Sequence, residues 1–376
     1  MIVVARIRLS CSSVGAEEKE ALARVIDGAY LGMGEEVRLF EEEIAATLGG
    51  NRAVVCVATG TAALHLAVAC LDIGTGDEVI VPTITYVASF QAVRATGAKP
   101  VACDVRQGDV FLNLKDAEKR LSAKTRAIMP VHYGSSARGI EDVYAFAKAN
   151  NLRVIEDAAH SFGNVREGVK VGAEGDIVCF SFDGIKNITS GEGGAIATGD
   201  EMLARRLRDA RLLGVEKDTE ARYGGGRTWT FDVKHQGFRY HMSNLMAALG
   251  RAQLKKLDRF AGRRRALAAR YLHAFAGMNG LSTLEMDWSH IVPHIFAVKV
   301  PHGAREALAD YLKAQEIETG FHYQPNHRLT LFKTGYALPV AEKLADELLT
   351  LPLHAELTDE EQERVISAIT GFFRTR

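Results

Sequence analysis

What this sequence lacks excludes several classes of protein. No stretch reaches the roughly 18 apolar residues that a membrane-spanning helix needs. The segment Met1–Leu9 is short and interrupted by Arg6 and Arg8, so it does not resemble a secretory signal. The five cysteines are scattered singly, without a CxxC pair or zinc-type spacing. We therefore expect a cytoplasmic protein with reduced thiols and no metal site.

Neither sign of charge dominates the chain. Lys and Arg number 46 against 47 Asp and Glu, for a net charge of −1. This balance offers no general attraction for nucleic acid or an anionic membrane, so neither is expected as a partner. A length of 376 residues with 47% hydrophobic composition predicts a globular protein of about two packed units.

Strand-like and helix-like patterns alternate through the first half of the chain. This rhythm predicts an α/β fold in which helices cover a mostly parallel sheet, within a large domain over residues 1–249. Segments with helical periodicity separate the apolar runs predicted as strands, which lie at 53–58, 78–82, 100–104, 127–131, 153–155, 177–182 and 194–198.

The pattern changes after residue 200, and a smaller C-terminal α+β domain is predicted over 250–376. A Gly-rich, aromatic stretch over 214–240 predicts a long loop. The basic run Arg263–Arg265 lies in a predicted helix over 243–275 and is expected to form its solvated face. The remaining predicted elements are helices at 200–213, 304–315, 341–350 and 359–370 and strands at 294–300 and 319–323.

A first candidate for chemistry is Thr59-Gly60-Thr61, which joins a predicted strand to a predicted helix. Backbone N–H groups at such a helix start bind phosphate, and glycine lets the ligand approach closely. The alternative is an ordinary turn with Thr59 as the helix cap.

A second candidate is Glu156-Asp157, where an apolar strand delivers carboxylates to its carboxyl end. Ligands bind at that edge of open α/β sheets. Asp157 could hold a protonated ring nitrogen or a metal, or simply cap a helix. His160 is as consistent with a core or surface position as with ligand contact.

A third candidate is Lys186, which follows a strand and precedes the glycine-rich turn Gly191–Gly194. A lysine among apolar residues has a depressed pKa and can form a Schiff base. A solvated loop lysine is the alternative.

The order of these segments resembles the sugar-nucleotide aminotransferases of the DegT/DnrJ/StrS group. These belong to the aspartate-aminotransferase-like, fold-type I enzymes that use pyridoxal 5′-phosphate (PLP). The resemblance covers nearly the whole chain. It is carried by ATGTAALHLAV, GDEVIVPTITYVAS, VIEDAAHSFG, FSFDGIKNITSGEGGAI, WTFDVKHQGFRYHMSNLMAALG and GFHYQPNH.

The resemblance implies a role for each residue around the cofactor ring. Lys186 matches the lysine that links to PLP, which alternates with pyridoxamine phosphate during turnover. Asp157 matches the acid that pairs with the pyridine nitrogen. His160 matches a position beside the phenolic oxygen, and Tyr86 matches the aromatic residue that stacks on the ring.

The resemblance also implies a phosphate site shared between two subunits. Gly60, Thr61 and Ser181 match phosphate contacts within the chain. Asn244 matches an asparagine that reaches the phosphate of the other subunit, which implies a homodimer with a shared active site.

The substrates that the resemblance implies are an amino-acid donor, expected to be L-glutamate, and a nucleotide-linked keto-sugar. We expect a 4-keto-6-deoxyhexose used in amino-sugar, O-antigen-type polysaccharide or glycoside biosynthesis, with a 3-keto-sugar as the alternative. Four cationic or imidazole side chains are candidates for binding the nucleotide phosphates: Arg239, His322, His327 and Arg328. The alternative for the segment FHYQPNHR is a solvated loop with Asn326 as a cap.

The chain departs from the family pattern near the expected site entrance. Asp183 stands where many members have histidine, and Arg239 and His241 stand where relatives often have Asn and Arg. These departures affect the expected substrate fit rather than cofactor binding.

Three other functions compete with amino transfer. Dehydratases of the family replace the lysine with histidine, and Lys186 argues against that activity. A non-catalytic, sugar-sensing relative could lose Lys186 or Asp157, yet both are present. A desulfurase-type relative would need a cysteine in a mobile loop beyond the lysine, which this sequence lacks.

Overall fold

The computed structural model describes residues 5–301 and 303–374, so the first four residues of the Met1–Leu9 segment lie outside the described residues. Helices and strands alternate through most of this length. The helices are α1 (Ala16–Asp27), α2 (Glu35–Thr47), α3 (Gly60–Ala69), α4 (Val87–Ala95), α5 (Leu114–Arg120), α6 (Ile140–Ala149), α7 (Glu201–Ala210), α8 (Asp218–Tyr223), α9 (Asn244–Leu254), α10 (Leu257–Phe275), α11 (Arg305–Lys313), α12 (Pro339–Glu347) and α13 (Asp359–Arg374). The strands are β1 (Ala53–Val57), β2 (Glu78–Pro82), β3 (Lys99–Cys103), β4 (Thr125–Ile128), β5 (Arg153–Asp157), β6 (Val165–Arg166), β7 (Val169–Lys170), β8 (Ile177–Ser181), β9 (Gly194–Thr198), β10 (Ser282–Thr283), β11 (Phe296–Lys299) and β12 (Leu348–Leu351).

A seven-stranded sheet forms the centre of the molecule, in the order β1-β9-β8-β5-β4-β2-β3. Strand β9 runs antiparallel to both of its neighbours, and the other paired strands are parallel. The α/β fold with a mostly parallel sheet is therefore confirmed.

Helices cover both faces of this sheet because its strands are apolar on both sides. Alternate residues of one strand belong to different clusters: Val55 and Val57 pack with α3, α4 and α7, whereas Val54 and Cys56 pack with α2 and α9. Helices α5 and α6 pack on a further cluster around Ile80 and Val154. This double covering leaves the carboxyl edge of the parallel strands as the place where polar side chains gather.

The C-terminal part contains a second, antiparallel sheet in the order β10-β11-β12. Helices α10, α11 and α13 pack against it around Tyr271, Phe296 and Leu308. Ile295 and Leu338, in contrast, pack into the cluster of the large sheet. We propose the division into a large domain over 1–249 and a smaller one over 250–376, with Ile295 and Leu338 in their contact surface.

Three predicted elements after residue 200 are wrong in detail. The helix expected over 243–275 breaks between α9 and α10, where the N–H of Lys256 bonds the carbonyl of Gln253 in a tighter turn. The strand expected over 319–323 has only an isolated bridge between Gly320 and Thr350. The helix expected over 341–350 ends at Glu347, and the chain enters β12.

Two further expectations, for the loop over 214–240 and for the run Arg263–Arg265, also fail. Helix α8 interrupts the loop expected over 214–240, with Arg222 bonded to Asp218 one turn earlier. Arg264, expected on a solvated helix face, is only 3% exposed and donates hydrogen bonds to backbone carbonyls.

Residues 5–301 and 303–374 contain neither a membrane-spanning helix nor a metal-binding cluster. None of the helices there combines the length and apolarity that crossing a bilayer requires. The same residues hold no cluster of three or more His, Cys, Asp or Glu side chains arranged for a metal ion. The five cysteines, which all lie in this part, are unpaired.

Candidate active site

A cavity of about 430 Å³ opens at the carboxyl edge of the large sheet. Its walls come from the starts of α3 and α4, the ends of β5 and β8, and the loop before α12. The cavity brings together all the residues expected to contact the cofactor except Asn244, namely Gly60, Thr61, Tyr86, Asp157, His160, Ser181 and Lys186. Segments far apart in the chain meet here because parallel strands end at one edge.

Lys186 lies in the loop after β8, where its side chain is partly buried against the cavity wall. Its Nζ lies 3.4 Å from Nε2 of His294. Burial lowers the pKa of Lys186 to about 8, with a further lowering contribution from Arg264, while Asp183 and Asp157 act in the opposite direction. A substantial fraction of this amine is therefore neutral near physiological pH and can act as a nucleophile or base.

Asp157 is the last residue of β5 and is buried. Its Oδ2 accepts a hydrogen bond from Ser89 Oγ at 2.6 Å, and its Oδ1 accepts one from the N–H of Ala159 at 3.2 Å. The carboxylate is thus oriented from two sides. It also lines the cavity, where it can pair with a cationic N–H of a ligand.

His160 follows β5 and is held between a backbone donor and a phenol. Its Nδ1 accepts the N–H of Gly134 at 3.3 Å, and its Nε2 lies 3.1 Å from the hydroxyl of Tyr323. Because Nδ1 accepts, the proton of the neutral ring is on Nε2. Burial, followed by the charge of Lys186, lowers the pKa of His160 well below its ordinary value, so the ring is neutral.

The start of α3 packs so closely on the end of β8 that only glycine fits. A Cβ at Gly60 would lie 2.8 Å from Cβ of Ser181. Thr59 caps the helix by accepting the N–H of Ala62 at 3.0 Å. The leading N–H groups of a helix have no acceptors within it, so Gly60, Thr61 and the hydroxyl of Ser181 together form a cradle for an anion.

The aromatic residues Tyr86 and Tyr323 line the cavity. Tyr86 heads α4 and is 60% exposed, with its ring centroid 5.8 Å from that of Tyr323. The ring of Tyr133 is buried outside the cavity lining, with its centroid 6.4 Å from that of Tyr323. Such a wall suits a flat ring that stacks on Tyr86.

The expected substrate residues fall into different places. His322 lines the cavity, and its Nδ1 lies 2.9 Å from Thr350 Oγ1. Arg328 lies in an adjoining groove of about 390 Å³ that shares His322 and Tyr323 with the cavity. Arg239 is exposed and does not line the cavity.

His327 and Asn326 anchor the loop before α12. His327 is buried, with Nδ1 2.9 Å from Thr83 Oγ1 and Nε2 3.2 Å from Glu342. The Asn326 amide donates to the carbonyls of Thr83 and Thr85. These contacts tie the loop to the end of β2, which places His322 and Tyr323 at the cavity.

Asn244 faces a separate depression of about 680 Å³, lined also by Tyr30, Arg38 and Tyr223. Its Nδ2 donates to the carbonyl of Tyr30 at 2.9 Å. Its Oδ1 is buried without a hydrogen-bond partner in the described part of the chain. Within one subunit, Asn244 therefore does not reach the cavity that holds Lys186.

Three residues at or behind the cavity wall were not singled out from the sequence. Ser89 lies inside α4 and Tyr323 in the loop before α12, while His294 precedes β11. Their positions carry no local signal of function, since serine in a helix and histidine beside a strand are ordinary. Only the motif GFHYQPNH pointed to the neighbourhood of Tyr323.

These residues fit pyridoxal phosphate on structural grounds alone. Lys186 provides an amine for the aldehyde carbon, Asp157 a carboxylate for the ring nitrogen, and the start of α3 an anion cradle. In the described part of the chain, the side chain of the buried Asp157 is paired only with neutral donors, the Ser89 hydroxyl and a backbone N–H. It can therefore take a cationic partner from a ligand.

The known proteins that this chain resembles are aminotransferases. The model of the DegT/DnrJ/EryC1/StrS aminotransferase family matches residues 12–370. The aminotransferase TlmJ from Streptoalloteichus hindustanus is 30% identical, with 98% of this chain and 99% of TlmJ covered at a TM-score of 0.91. DesV from S. venezuelae, solved in complex with a ketimine intermediate, is 34% identical, with 95% and 94% covered at a TM-score of 0.86. Spr1654 from Streptococcus pneumoniae in its PLP form is 25% identical, with 99% of each chain covered at a TM-score of 0.90.

Proposed function

The chain belongs to the DegT/DnrJ/EryC1/StrS aminotransferase family, and from that premise we propose that it transfers an amino group from L-glutamate to a nucleotide-linked keto-sugar. It is a PLP-dependent sugar aminotransferase. The acceptor we propose is a 4-keto-6-deoxyhexose, with a 3-keto-sugar as the alternative. The product serves amino-sugar biosynthesis for an O-antigen-type polysaccharide or a glycoside, in the cytoplasm.

One observation carries this proposal. A lysine amine, a buried carboxylate and the start of a helix meet in a single cavity of about 430 Å³, with an aromatic residue at its mouth. When bound, PLP supplies the electron sink that stabilises negative charge on the reacting carbon. The side chains of this chain orient the reactants and move the proton.

Lys186 is the residue that we propose as acid and base. Its Nζ takes the proton from Cα of the amino donor and returns it at C4′ of the cofactor. The lowered pKa, about 8, makes both the neutral and the protonated amine available near neutral pH. Transfer to the keto-sugar uses the same proton movement in reverse.

Asp157 and His160 orient the cofactor ring in this proposal. Asp157 keeps the pyridine nitrogen protonated, and the hydrogen bonds from Ser89 and Ala159 hold its carboxylate in place. His160 lies beside the phenolic oxygen, with its Nε2 proton shared with Tyr323. Tyr86 stacks on the ring, and Gly60, Thr61 and Ser181 bind its phosphate.

The nucleotide phosphates of the substrate need cationic partners. We assign the cationic role to Arg328, in the adjoining groove, and a hydrogen-bonding role to the neutral ring of His322, at the cavity. Arg239, which is exposed, and His327, which anchors the loop, remain candidates through movement or through a second subunit.

A homodimer completes the site in our proposal. Asn244 has an unpartnered buried Oδ1 and faces a depression away from Lys186 of its own chain. A second copy docked there would bring its phosphate site to Asn244. The isolated subunit is then inactive.

The visible absorption spectrum of the purified protein tests the proposal. We expect a yellow band from lysine-linked PLP, which L-glutamate converts to the band of pyridoxamine phosphate with release of 2-oxoglutarate. Addition of a nucleotide-linked keto-sugar should restore the yellow band and yield an amino-sugar. A panel of 4-keto and 3-keto sugars on different nucleotides then identifies the acceptor.

Each alternative function has its own outcome in this experiment. A band that forms but ignores L-glutamate indicates another donor or a dehydratase. If no band forms with added PLP, the enzyme assignment fails in favour of a sugar-sensing role. Lys186→Ala must lack turnover, and measurable turnover in that variant would contradict the role of Lys186.

A further inference from the structure

His294 lies behind Lys186 and is almost enclosed by protein, with 4% of its surface exposed. Its Nε2 is 3.4 Å from Nζ of Lys186, and its ring centroid is 4.3 Å from that of His160. The ring therefore touches both the amine and the histidine that we place beside the phenolic oxygen. It does not line the cavity itself, so any effect on the reaction passes through Lys186 or His160.

Hydrogen bonds with two side chains, Ser135 and Arg264, hold the backbone at His294. Its N–H donates to Ser135 Oγ at 3.1 Å. Arg264 Nη1 donates to the carbonyls of Pro293 and His294 at 3.2 and 3.1 Å. The ring position is therefore set by tertiary contacts and not by a flexible loop.

Asn187, the residue after Lys186, joins the same framework. Its Nδ2 lies 3.2 Å from the carbonyl of His160 and 3.3 Å from that of Val292. Hydrogen bonds of Asn187 thus tie the lysine loop to the His160 turn and to the segment before His294.

The electrostatics around His294 keep its ring neutral. Burial, then the charge of Lys186, lowers its pKa well below the ordinary value, and the charge of Arg264 acts in the same direction. Arg264 is buried and pairs only with backbone carbonyls, with no carboxylate partner in the described part of the chain. A neutral imidazole offers Nε2 as an acceptor for an N–H of the Lys186 amine, whether that amine is neutral or protonated.

We propose that His294 is a positioning residue that holds the free amine of Lys186 in its resting place. If Lys186 has the role proposed above, His294 is its hydrogen-bond partner whenever the lysine is not linked to the cofactor. Nε2 accepts one N–H of the amine, so Nζ stays at the cavity wall instead of swinging into solvent. The fixed amine can then attack the cofactor aldehyde and return protons without a search.

Other charged and titratable groups also face Lys186 and His294, and some of them could in principle hold the Lys186 amine in place. Asp183 and Asp157 favour the charged lysine, and Arg264 disfavours it. His322 faces both residues and, mainly through burial, has its pKa lowered to about 4, so it too is neutral. His294 alone among these neutral groups lies within hydrogen-bond distance of Nζ in the described structure.

The test measures how fast the apoprotein links to PLP, followed by growth of its visible band, in four variants. His294→Leu removes the acceptor, His294→Gln restores a polar group near the position of Nε2, and His294→Asn places one near Nδ1. His354→Leu is the matched control, because His354 is 5% exposed and its pKa is affected by Arg264 but not by Lys186.

We expect His294→Leu to link about tenfold more slowly, the size of one lost hydrogen bond that holds the attacking amine in place. The final amount of bound PLP and KM for L-glutamate stay near wild type, while kcat falls with the linkage rate. His294→Gln recovers most of the rate, His294→Asn does not, and His354→Leu behaves as wild type.

Several results would overturn the inference. Wild-type linkage in His294→Leu would do so, as would equal slowing in His354→Leu. If His294→Leu does not fold, the Gln and Asn variants decide, and equal rates in these two contradict the proposal. Lys186→Ala tests the role of Lys186 separately from that of His294. A normal lysine-linked band in Lys186→Ala would refute the role of Lys186 itself.

Discussion

Ser89 Oγ lies 2.6 Å from Oδ2 of Asp157, so a hydroxyl from α4 donates to the carboxylate at the end of β5. Both side chains are buried. Thr85 Oγ1 lies 2.9 Å from Ser89 Oγ and, because the Ser89 proton is engaged, donates to it. This pair of hydroxyls gives the carboxylate one orientation before any ligand arrives.

Removing the Ser89 hydroxyl should therefore weaken cofactor binding while the fold persists. For Ser89→Ala we expect PLP to bind about tenfold more weakly, since a hydrogen bond to a charged group contributes roughly 1.5 kcal/mol or more. Titration of the apoprotein with PLP measures this change. Ser367→Ala, on the exposed face of α13, is the control, and equal affinities in the two variants would contradict the role of Ser89.

Two glycines in helices should respond in opposite ways to the same substitution. Gly60→Ala brings a Cβ to 2.8 Å from Ser181 Cβ and 3.3 Å from its Cα, so the start of α3 must move and PLP binding should be lost. Gly262→Ala, in α10, meets open space and should stabilise the fold by about 0.5–1 kcal/mol. PLP titration and urea unfolding distinguish them. Unchanged PLP affinity in Gly60→Ala would contradict the proposal that the start of α3 binds the phosphate.

Linkage of PLP to the apoprotein should depend on pH with a midpoint near the lowered pKa of Lys186, about 8. The neutral amine attacks, and lowering the pKa makes that form available at lower pH. The rate should rise about tenfold per pH unit below the midpoint and level off above it. Stopped-flow absorbance measures this profile. A midpoint near the ordinary value of 10.5 would show that Lys186 is not desolvated.

Lowering this pKa also has a consequence for the stability of the apoprotein. Between pH 8 and 10.5 the unfolded lysine still carries a proton that the folded one has lost, so the unfolded state binds more protons. Stability therefore rises with pH through this window as far as Lys186 is concerned. Lys186→Met should remove that part of the pH dependence in urea unfolding.

A shared active site predicts complementation between two inactive variants. Lys186→Ala and Asn244→Ala should each be inactive. In a hybrid dimer, one site has Lys186 from one subunit and Asn244 from the other. Random mixing should then restore about a quarter of wild-type activity, from one intact site in half of the dimers. A mixture no more active than its parents would contradict the shared site.

Local patterns were sufficient for most of the fold, and the family resemblance named candidate site residues that one cavity brings together. Apolar runs and helical periodicity predicted every strand of the large sheet, because strands buried on both faces must be apolar along their length. The prediction of secondary structure failed where contacts between distant parts of the chain decide where a helix ends or a strand forms. The break before α10 is held by Lys256, whose Nζ pairs with Glu17 and Glu18 of α1. Strand β12 forms because β11 offers it a partner.

By itself, the sequence was enough to identify the family, because the order of the segments around Gly60, Asp157 and Lys186 resembles it although each segment alone has an ordinary alternative. Only the tertiary structure decided which side chains act on those groups. Ser89 reaches Asp157 from α4, 68 residues away, and His294 reaches Lys186 across 108 residues. Such partners leave no local pattern, since a hydrogen bond depends on where two segments meet in space and not on the residues beside them.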